Sequence, residues 1–346
     1  HIAQRHRKAG HAGHIDLAVF QFEILFGCLQ HVGGRLECFL ADFDRRQMNG
    51  RAGRHRLAAV EAAEAIILAG DALPPRVASM AVNLKLLQLL GCSYRGLDRA
   101  VLADQGVTIA GASPVLAPVV AQHAVALMQA ICKQVAHTKS HAYGDRLEGK
   151  SVGIIGFGRV GINVARLLVD SPVNVIYCDI RTARQGLATD LGVRRHTLDR
   201  LLTICDVVTI HASYGPTAAP LLEQRELRLM SGESVLINTA DPRIVDQGAL
   251  ATALIQGTIG GAALDSIDLD SQASAKLIAG TRRAIIASRI ASSRKSTDQH
   301  AIRFGISNVA KFLDNQPITG ELVEIDWPRA GDPAFWSSEM APRKTD

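Results

Sequence analysis

The most chemically specific stretch of the chain is Val152-Gly153-Ile154-Ile155-Gly156-Phe157-Gly158-Arg159-Val160-Gly161, a short apolar strand running into G-x-G-x-x-G and then into helical spacing. Each glycine has a separate job in such a turn. Gly156 permits the tight bend, and Gly158 leaves a diphosphate free to approach main-chain N–H groups at the helix start. Gly161 lets helix and strand pack closely. A second apolar run ends at Asp179, 23 positions beyond Gly156. A carboxylate there accepts hydrogen bonds from ribose hydroxyls and repels a 2′-phosphate, so NAD is expected rather than NADP. Arg181 and Arg184 follow closely and are read as solvated surface residues.

Positioning these residues requires a parallel sheet. From Ser151 onward the sequence alternates short apolar runs with helix-length segments. The runs are Ser151–Gly156, Val173–Asp179, Asp206–Ala212, Ser234–Ala240, Gly261–Ser266 and Arg283–Ser288, with Val160–Val169 and Gly248–Ile255 among the helices between them. Strands without polar alternation are expected where both faces are covered, and the alternation of strand and helix implies a doubly wound sheet. Upstream, Ala65–Ala69, Leu84–Leu90 and Val107–Ala110 read as strands. A long helix follows Ser113-Pro114, with Val120, Ala124, Leu127, Met128, Ile131 and Val135 at helical spacing. The first 55 residues show apolar patches without clean periodicity.

Bulk properties exclude several classes. The 346 residues are 47% hydrophobic and 21% charged, which suits a chain of about two globular domains. Of the formal charge of +5, three units come from Arg5, Arg7 and Lys8 in an acid-free opening tail. The nearly balanced remainder argues against a nucleic-acid groove. No apolar stretch of about 18 uncharged residues is expected, so no membrane partner is either. Ile15–Leu29 comes closest, but Asp16 and Glu23 interrupt it, and no signal peptide is expected there. A chain beginning with His rather than Met reads as a fragment or a processed product. Six scattered cysteines without a CxxC pair read as reduced thiols in a cytoplasmic protein. No metal-ligand cluster and no Ser/His/Asp arrangement stands out.

The order of further segments resembles the NAD-dependent D-isomer-specific 2-hydroxyacid dehydrogenase family. Leu84-Lys85-Leu86-Leu87, the Gly91 turn and Leu97-Asp98 are similar to its substrate-loop region. Val120-Ala121-Gln122-His123 resembles its VAEH helix start, and Cys205–His211 its SDVVxLH strand. Leu236–Ala240 with Ile244-Val245-Asp246 and Ala249-Leu250 resembles NTARGxxVDxxAL, and Gly261–Asp265 resembles GAALD. The likeness runs from about residue 61 to about 335. It implies a Rossmann-type domain (116–293) inserted into a flavodoxin-like α/β substrate domain made of residues 1–115 and a return segment, 294–346. It further implies a homodimer, a small anionic substrate, and a cofactor site of Gly156, Phe157, Gly158, Arg159, Val160, Gly161, Asp179, His211, Thr239, Ala240 and Asp265. Cys92, Ser93 and Arg243 would face the substrate.

Enzymes of this family use an Arg to hold a keto acid, a His to move the proton and a Glu to tune that His. Here the three positions carry Asp241, Arg289 and Asp270, and no His occurs between His211 and His300. A guanidinium stays protonated near neutral pH, so Arg289 cannot shuttle a proton. Two readings follow. In one, an active oxidoreductase anchors its substrate through Arg289 or Arg243 and takes its proton elsewhere. In the other, the chain is a catalytically silenced NAD-binding protein with a binding or regulatory role, its Arg289 paired with Asp270 or Asp241. His211 is read as structural or as lining the nicotinamide side, and His123 as a packing or capping residue at a helix start. His300 is read as a surface helix residue, and Lys295 as a weak candidate base. Trp327 and Trp336 mark a tail packed on the substrate domain or a partner.

Overall fold

The computed structural model describes residues 38–41, 60–69, 73–91, 97–133, 146–180, 186–213, 219–268, 271–287, 290–291 and 295–321. Its first part is a parallel sheet of β1 (Cys38–Ala41), β2 (Ala65–Leu68), β3 (Leu86–Leu89) and β4 (Thr108–Gly111), in that spatial order. Strand β1 lies inside the opening region where no periodicity was legible. Two short helices, α1 (Pro75–Met80) and α2 (Arg99–Asp104), cover one face, where Val77, Ala78 and Leu102 join Ile66, Leu68, Leu87 and Leu89 in one apolar cluster.

Helix α3 (Ser113–Cys132) leads into the second part. There, in chain order, are β5 (Ser151–Ile155), α4 (Arg159–Leu168), β6 (Asn174–Cys178), α5 (Leu187–Asp190), β7 (Arg194–Arg195), α6 (Leu198–Ile204) and β8 (Val207–Ile210). They are followed by α7 (Gln224–Leu229), β9 (Val235–Asn238), α8 (Gln247–Gln256), β10 (Gly261–Leu264), α9 (Gln272–Gly280) and β11 (Ala284–Ile286). The seven strands are parallel and lie in the order β11-β10-β9-β8-β5-β6-β7. Successive strand residues point to opposite faces. Val152 and Ile154 therefore pack with Ala124 and Met128 of α3 and Val164 of α4. Ile155 packs on the other face with Leu198 and Leu201 of α6 and Leu250 and Leu254 of α8. Every strand the sequence suggested from Ser151 onward is present, trimmed at its ends. The two-residue β7 and helices α5, α6, α7 and α9 complete the set.

Helix α10 (Lys295–Leu313) returns to the first sheet. Val309 packs with Ala65, Ile67, Leu86 and Ala110. A buried polar pair fixes the docking: Asn308 Nδ2 donates to Gln88 Oε1 at 2.8 Å and to the Thr319 carbonyl at 2.6 Å. Burying two amides is tolerable because their remaining polar atoms are paired as well: Gln88 Nε2 donates to the Leu89 carbonyl and Asn308 Oδ1 accepts the Thr319 N–H.

Two expectations need correction. An uncharged apolar stretch of sufficient length does exist, because no Asp, Glu, Lys or Arg occurs from Gln105 to Cys132 and α3 is 20 residues long. By length and composition α3 could cross a membrane, but half of it is buried inside the protein, as expected for a core helix. His123 does not start a helix. It sits mid-way along α3, whose first residue is Ser113.

Candidate active site

The glycine turn leaves β5 and enters α4 at the carboxyl end of the sheet, between the two strands that flank β5. This is the switch point at which ligands bind in open α/β sheets. Gly156 has φ +90°, a conformation open to glycine, and a Cβ there would sit 2.5 Å from the Ala212 main-chain nitrogen. At Gly161 a Cβ would come 2.1 Å from the Gly156 carbonyl oxygen, so helix and turn touch backbone to backbone. At Gly158 an added Cβ would meet nothing within 4 Å. That glycine is not needed for packing, so the space in front of it is room for a ligand. Gly158 caps α4 without a side-chain hydrogen bond, and the first turn of α4 holds no acid. The exposed N–H groups and helix dipole therefore face this space, a geometry that fits a dinucleotide's diphosphate.

Asp179 follows β6 and is buried, one carboxylate oxygen accepting the Phe157 main-chain N–H at 2.5 Å. The bond ties the acid to the glycine turn. The Phe157 ring turns inward and stacks on Tyr177 with centroids 4.1 Å apart, so its share of the site is its backbone. Val160 packs inward with the same apolar cluster. Arg159 is exposed on α4, and its Nη1 donates to Ser113 Oγ at 3.1 Å, joining the starts of α3 and α4. On the neighbouring strand, Arg195 Nη2 donates to the Asp179 carbonyl at 3.1 Å. Cys178 and Cys205 are buried thiols pushed up to about 12, by burial first and by Asp179 and Asp206 respectively, which leaves them inert as nucleophiles.

His211 follows β8. Its Nε2 lies 2.9 Å from Thr209 Oγ1 and its Nδ1 3.1 Å from Thr239 Oγ1. One threonine donates to the bare ring nitrogen and the other accepts from the protonated one. Burial lowers its pKa to about 3, so the ring is neutral and both its nitrogens are spent. Its ring joins the end of β8 to Thr239, just past β9.

Sequence reasoning missed Asn238. This buried side chain accepts the Ala240 N–H at 2.9 Å and donates to the Asp241 carbonyl at 3.3 Å, folding residues 239–241 into a tight turn after β9. A polar residue ending a run of Val235, Leu236 and Ile237 was the available signal. Beyond the turn, Asp241 caps the single 3₁₀ turn Pro242–Ile244. Its carboxylate grips Arg243, with Nε to Oδ1 at 3.0 Å and Nη2 to Oδ2 at 3.0 Å. Asp241 stands where the family motif carries an Arg, and it holds the guanidinium of a residue two positions downstream.

Asp265, at the end of β10, accepts the main-chain N–H groups of Ile290 and Ala291 on one oxygen, both at 3.0 Å. Residue 289 immediately precedes this clamp. Among the candidates, Cys92, Ser93, Asp270 and Arg289 lie outside the described residues, as do Arg181, Arg184, Trp327 and Trp336 and the side chain of Lys295. His300 is exposed on α10. The two described cavities, one lined by Gln129, Lys133, Arg146 and Ser171 and the other by Glu223 and Asp246, both lie apart from the glycine turn.

A parallel doubly wound sheet with an open helix N-terminus, a glycine turn and a carboxylate tied to it defines a dinucleotide-binding protein of the Rossmann class. Residues 118–291 match the family described as "D-isomer specific 2-hydroxyacid dehydrogenase, NAD binding domain". The chain belongs to that family. It is 27% identical over 266 residues to a glyoxylate reductase of Thermofilum pendens, covering 72% of this chain and 78% of the relative. It is 29% identical over 222 residues to a D-3-phosphoglycerate dehydrogenase of Mycobacterium tuberculosis, covering 60% of this chain and 42% of that longer one. Among solved structures, the apo form of Rhodotorula graminis D-mandelate dehydrogenase superposes with a TM-score of 0.71 at 19% identity, over 85% of this chain and 99% of that one.

Proposed function

We propose that the chain catalyses hydride transfer between NAD(H) and a small 2-hydroxy or 2-keto acid, with Gly156 to Gly161 and Asp179 holding the dinucleotide. The observation that carries this is the open space before Gly158 combined with the strict packing at Gly156 and Gly161. The bound nicotinamide would supply or accept the hydride. Arg243, oriented by the Asp241 carboxylate, and Arg289 are the cations proposed to hold the substrate carboxylate. A guanidinium that keeps its proton can still stabilise charge developing on the carbonyl oxygen as a hydrogen-bond donor. Solvent then delivers the proton that a His would have supplied. Thr239, Ala240, His211 and Asp265 would line the nicotinamide side, and Cys92 and Ser93 the substrate side.

We further propose the division of the chain into residues 1–115, 116–293 and 294–346, a homodimer, and a cytoplasmic setting. Cys132, Cys178 and Cys205 are buried thiols outside any disulfide, which suits a reducing compartment. Light scattering of the purified protein tests the dimer.

The decisive experiment incubates the protein with NADH and, separately, glyoxylate, pyruvate, hydroxypyruvate and phenylpyruvate while following absorbance of the reduced cofactor. Oxidation with at least one acid is the expected result. Tight NADH binding without turnover on any of them would refute the catalytic reading.

A further inference from the structure

We infer that Arg195 is a specificity-determining residue at the adenosine end of the cofactor site, a cation that moderates the rejection of a ribose 2′-phosphate by Asp179. The inference rests on the reading above, in which Asp179 holds the dinucleotide. It makes NADPH a measurable, weaker ligand.

The sheet sets the geometry. The open space before Gly158 follows β5, Asp179 follows β6, and β7 is the last described strand on that side. A sugar reached by Asp179 therefore lies toward β7. Arg195 ends β7 and is the register partner of Tyr177 on β6. Partners on neighbouring strands share a face of the sheet, and so do residues two apart. Ile176, Cys178 and Ile180 pack on one face, which leaves Tyr177, Asp179 and Arg195 to the other. There the Tyr177 ring stacks on Phe157, whose N–H holds the Asp179 carboxylate.

Arg195 Nη2 donates to the Asp179 main-chain carbonyl at 3.1 Å, while its Nε is sealed from solvent without a hydrogen-bond partner. A neutral amide could make the carbonyl bond without the cost of burying part of a cation, so that bond alone does not account for an arginine. What the guanidinium adds is a permanent positive charge beside the acid. Burial raises the Cys178 thiol most, Asp179 raises it further and Arg195 opposes them, so both charges are felt at one atom. A phosphate on the 2′-oxygen of a sugar held by Asp179 would meet the same two charges, repelled by one and attracted by the other.

The test titrates the full chain calorimetrically with NADH and, separately, NADPH. It compares the parent with Arg195→Lys, which keeps the charge, Arg195→Gln, which keeps only a neutral donor, and Arg195→Met, which keeps neither. In the Gln and Met variants NADPH should weaken about fivefold or more relative to NADH, whereas in Lys the ratio of the two affinities should stay within about twofold of the parent. A merely structural role would weaken both dinucleotides by the same factor, so an unchanged ratio in Gln and Met overturns the proposal. A Lys variant that behaves like Met overturns it too, because the charge is then not what counts. If the Met variant does not fold, the Gln variant decides alone. A parent that binds NADH but shows no binding of NADPH at millimolar concentration also overturns the proposal and leaves the cofactor reading standing. A parent that binds neither dinucleotide refutes the cofactor reading and the proposal with it.

Discussion

Replacing Gly158 and Gly161 separately by Ala should divide binding from folding. At position 161 the new methyl would lie 2.1 Å from the Gly156 carbonyl oxygen. An ordinary C···O contact is about 3.3 Å, so the start of α4 and the end of β5 must part by roughly 1.2 Å. Neither side can yield cheaply, because the obstacle is backbone and Ile154 Cγ2 stands 3.0 Å away on the other flank. Overpacking of this kind costs about 1–3 kcal/mol. At about 2–4 °C per kcal/mol, Tm should drop by roughly 2–12 °C. At position 158 the methyl meets nothing within 4 Å, and φ −84° with ψ −157° is extended backbone that alanine adopts freely. Stability should stay within about 0.5 kcal/mol of the parent. The methyl does occupy the approach to the α4 N-terminus, and losing one charge-assisted contact there costs about 1.5–3 kcal/mol. NADH should bind roughly ten- to a hundredfold more weakly. Thermal unfolding followed by circular dichroism and calorimetric titration with NADH read the two effects independently. Parent-like NADH affinity in Gly158→Ala, or parent-like Tm in Gly161→Ala, would show that the turn is built differently from this account.

Removing the charge at Asp179 with Asn should narrow the gap between NADH and NADPH by at least tenfold in titration. An unchanged ratio would mean that the carboxylate does not set the preference. His211 has its folded-state pKa lowered from 6.5 to about 3 by burial. The unfolded chain therefore binds the extra proton, and this stability is complete above about pH 6.5 and lost as pH falls toward 3. Denaturant titrations should show a loss of up to about 2 kcal/mol between pH 7 and 5 that His211→Gln does not share. Asn238→Ala strands a buried Ala240 N–H and should destabilise the protein by about 1–3 kcal/mol in the same assay. A change below 0.5 kcal/mol would show that the turn after β9 holds itself.

The second sheet was legible because its strands are buried on both faces and announce themselves as unbroken apolar runs, as Val152–Ile155 and Leu236-Ile237 do. The glycine turn was legible for a different reason, since only glycine tolerates φ +90° at 156 and contact with a carbonyl at 161. Short elements were not. Two residues of β7 and four of α5 lie below the length at which any period can be seen. Strand β1 pairs only with β2 among the described strands, and its four residues, Cys38–Ala41, sit in a patchwork of basic and apolar residues. At the site, the three departures from the family pattern could be read from residue types. The bidentate Asp241–Arg243 pair could not, because a carboxylate two residues before a guanidinium meets it only when a turn like the 3₁₀ turn at Pro242–Ile244 folds them together. Asp265 likewise carries two amides from 25 and 26 residues downstream, a long-range contact that no local pattern encodes.

The continuity of α3 matters to anyone who would move the dinucleotide module to a different scaffold. Excising the seven-stranded unit at residue 116 would sever a helix in its first turn, unhooking Ser113 from Arg159 and stripping Leu116 of its neighbours on the far side. A graft that keeps all of α3 instead carries an apolar stub shaped for α10 and the smaller sheet, and the recipient would have to cover it. Transplanted binding activity will therefore depend less on the glycine motif than on what the new host offers to the opening turns of this one helix.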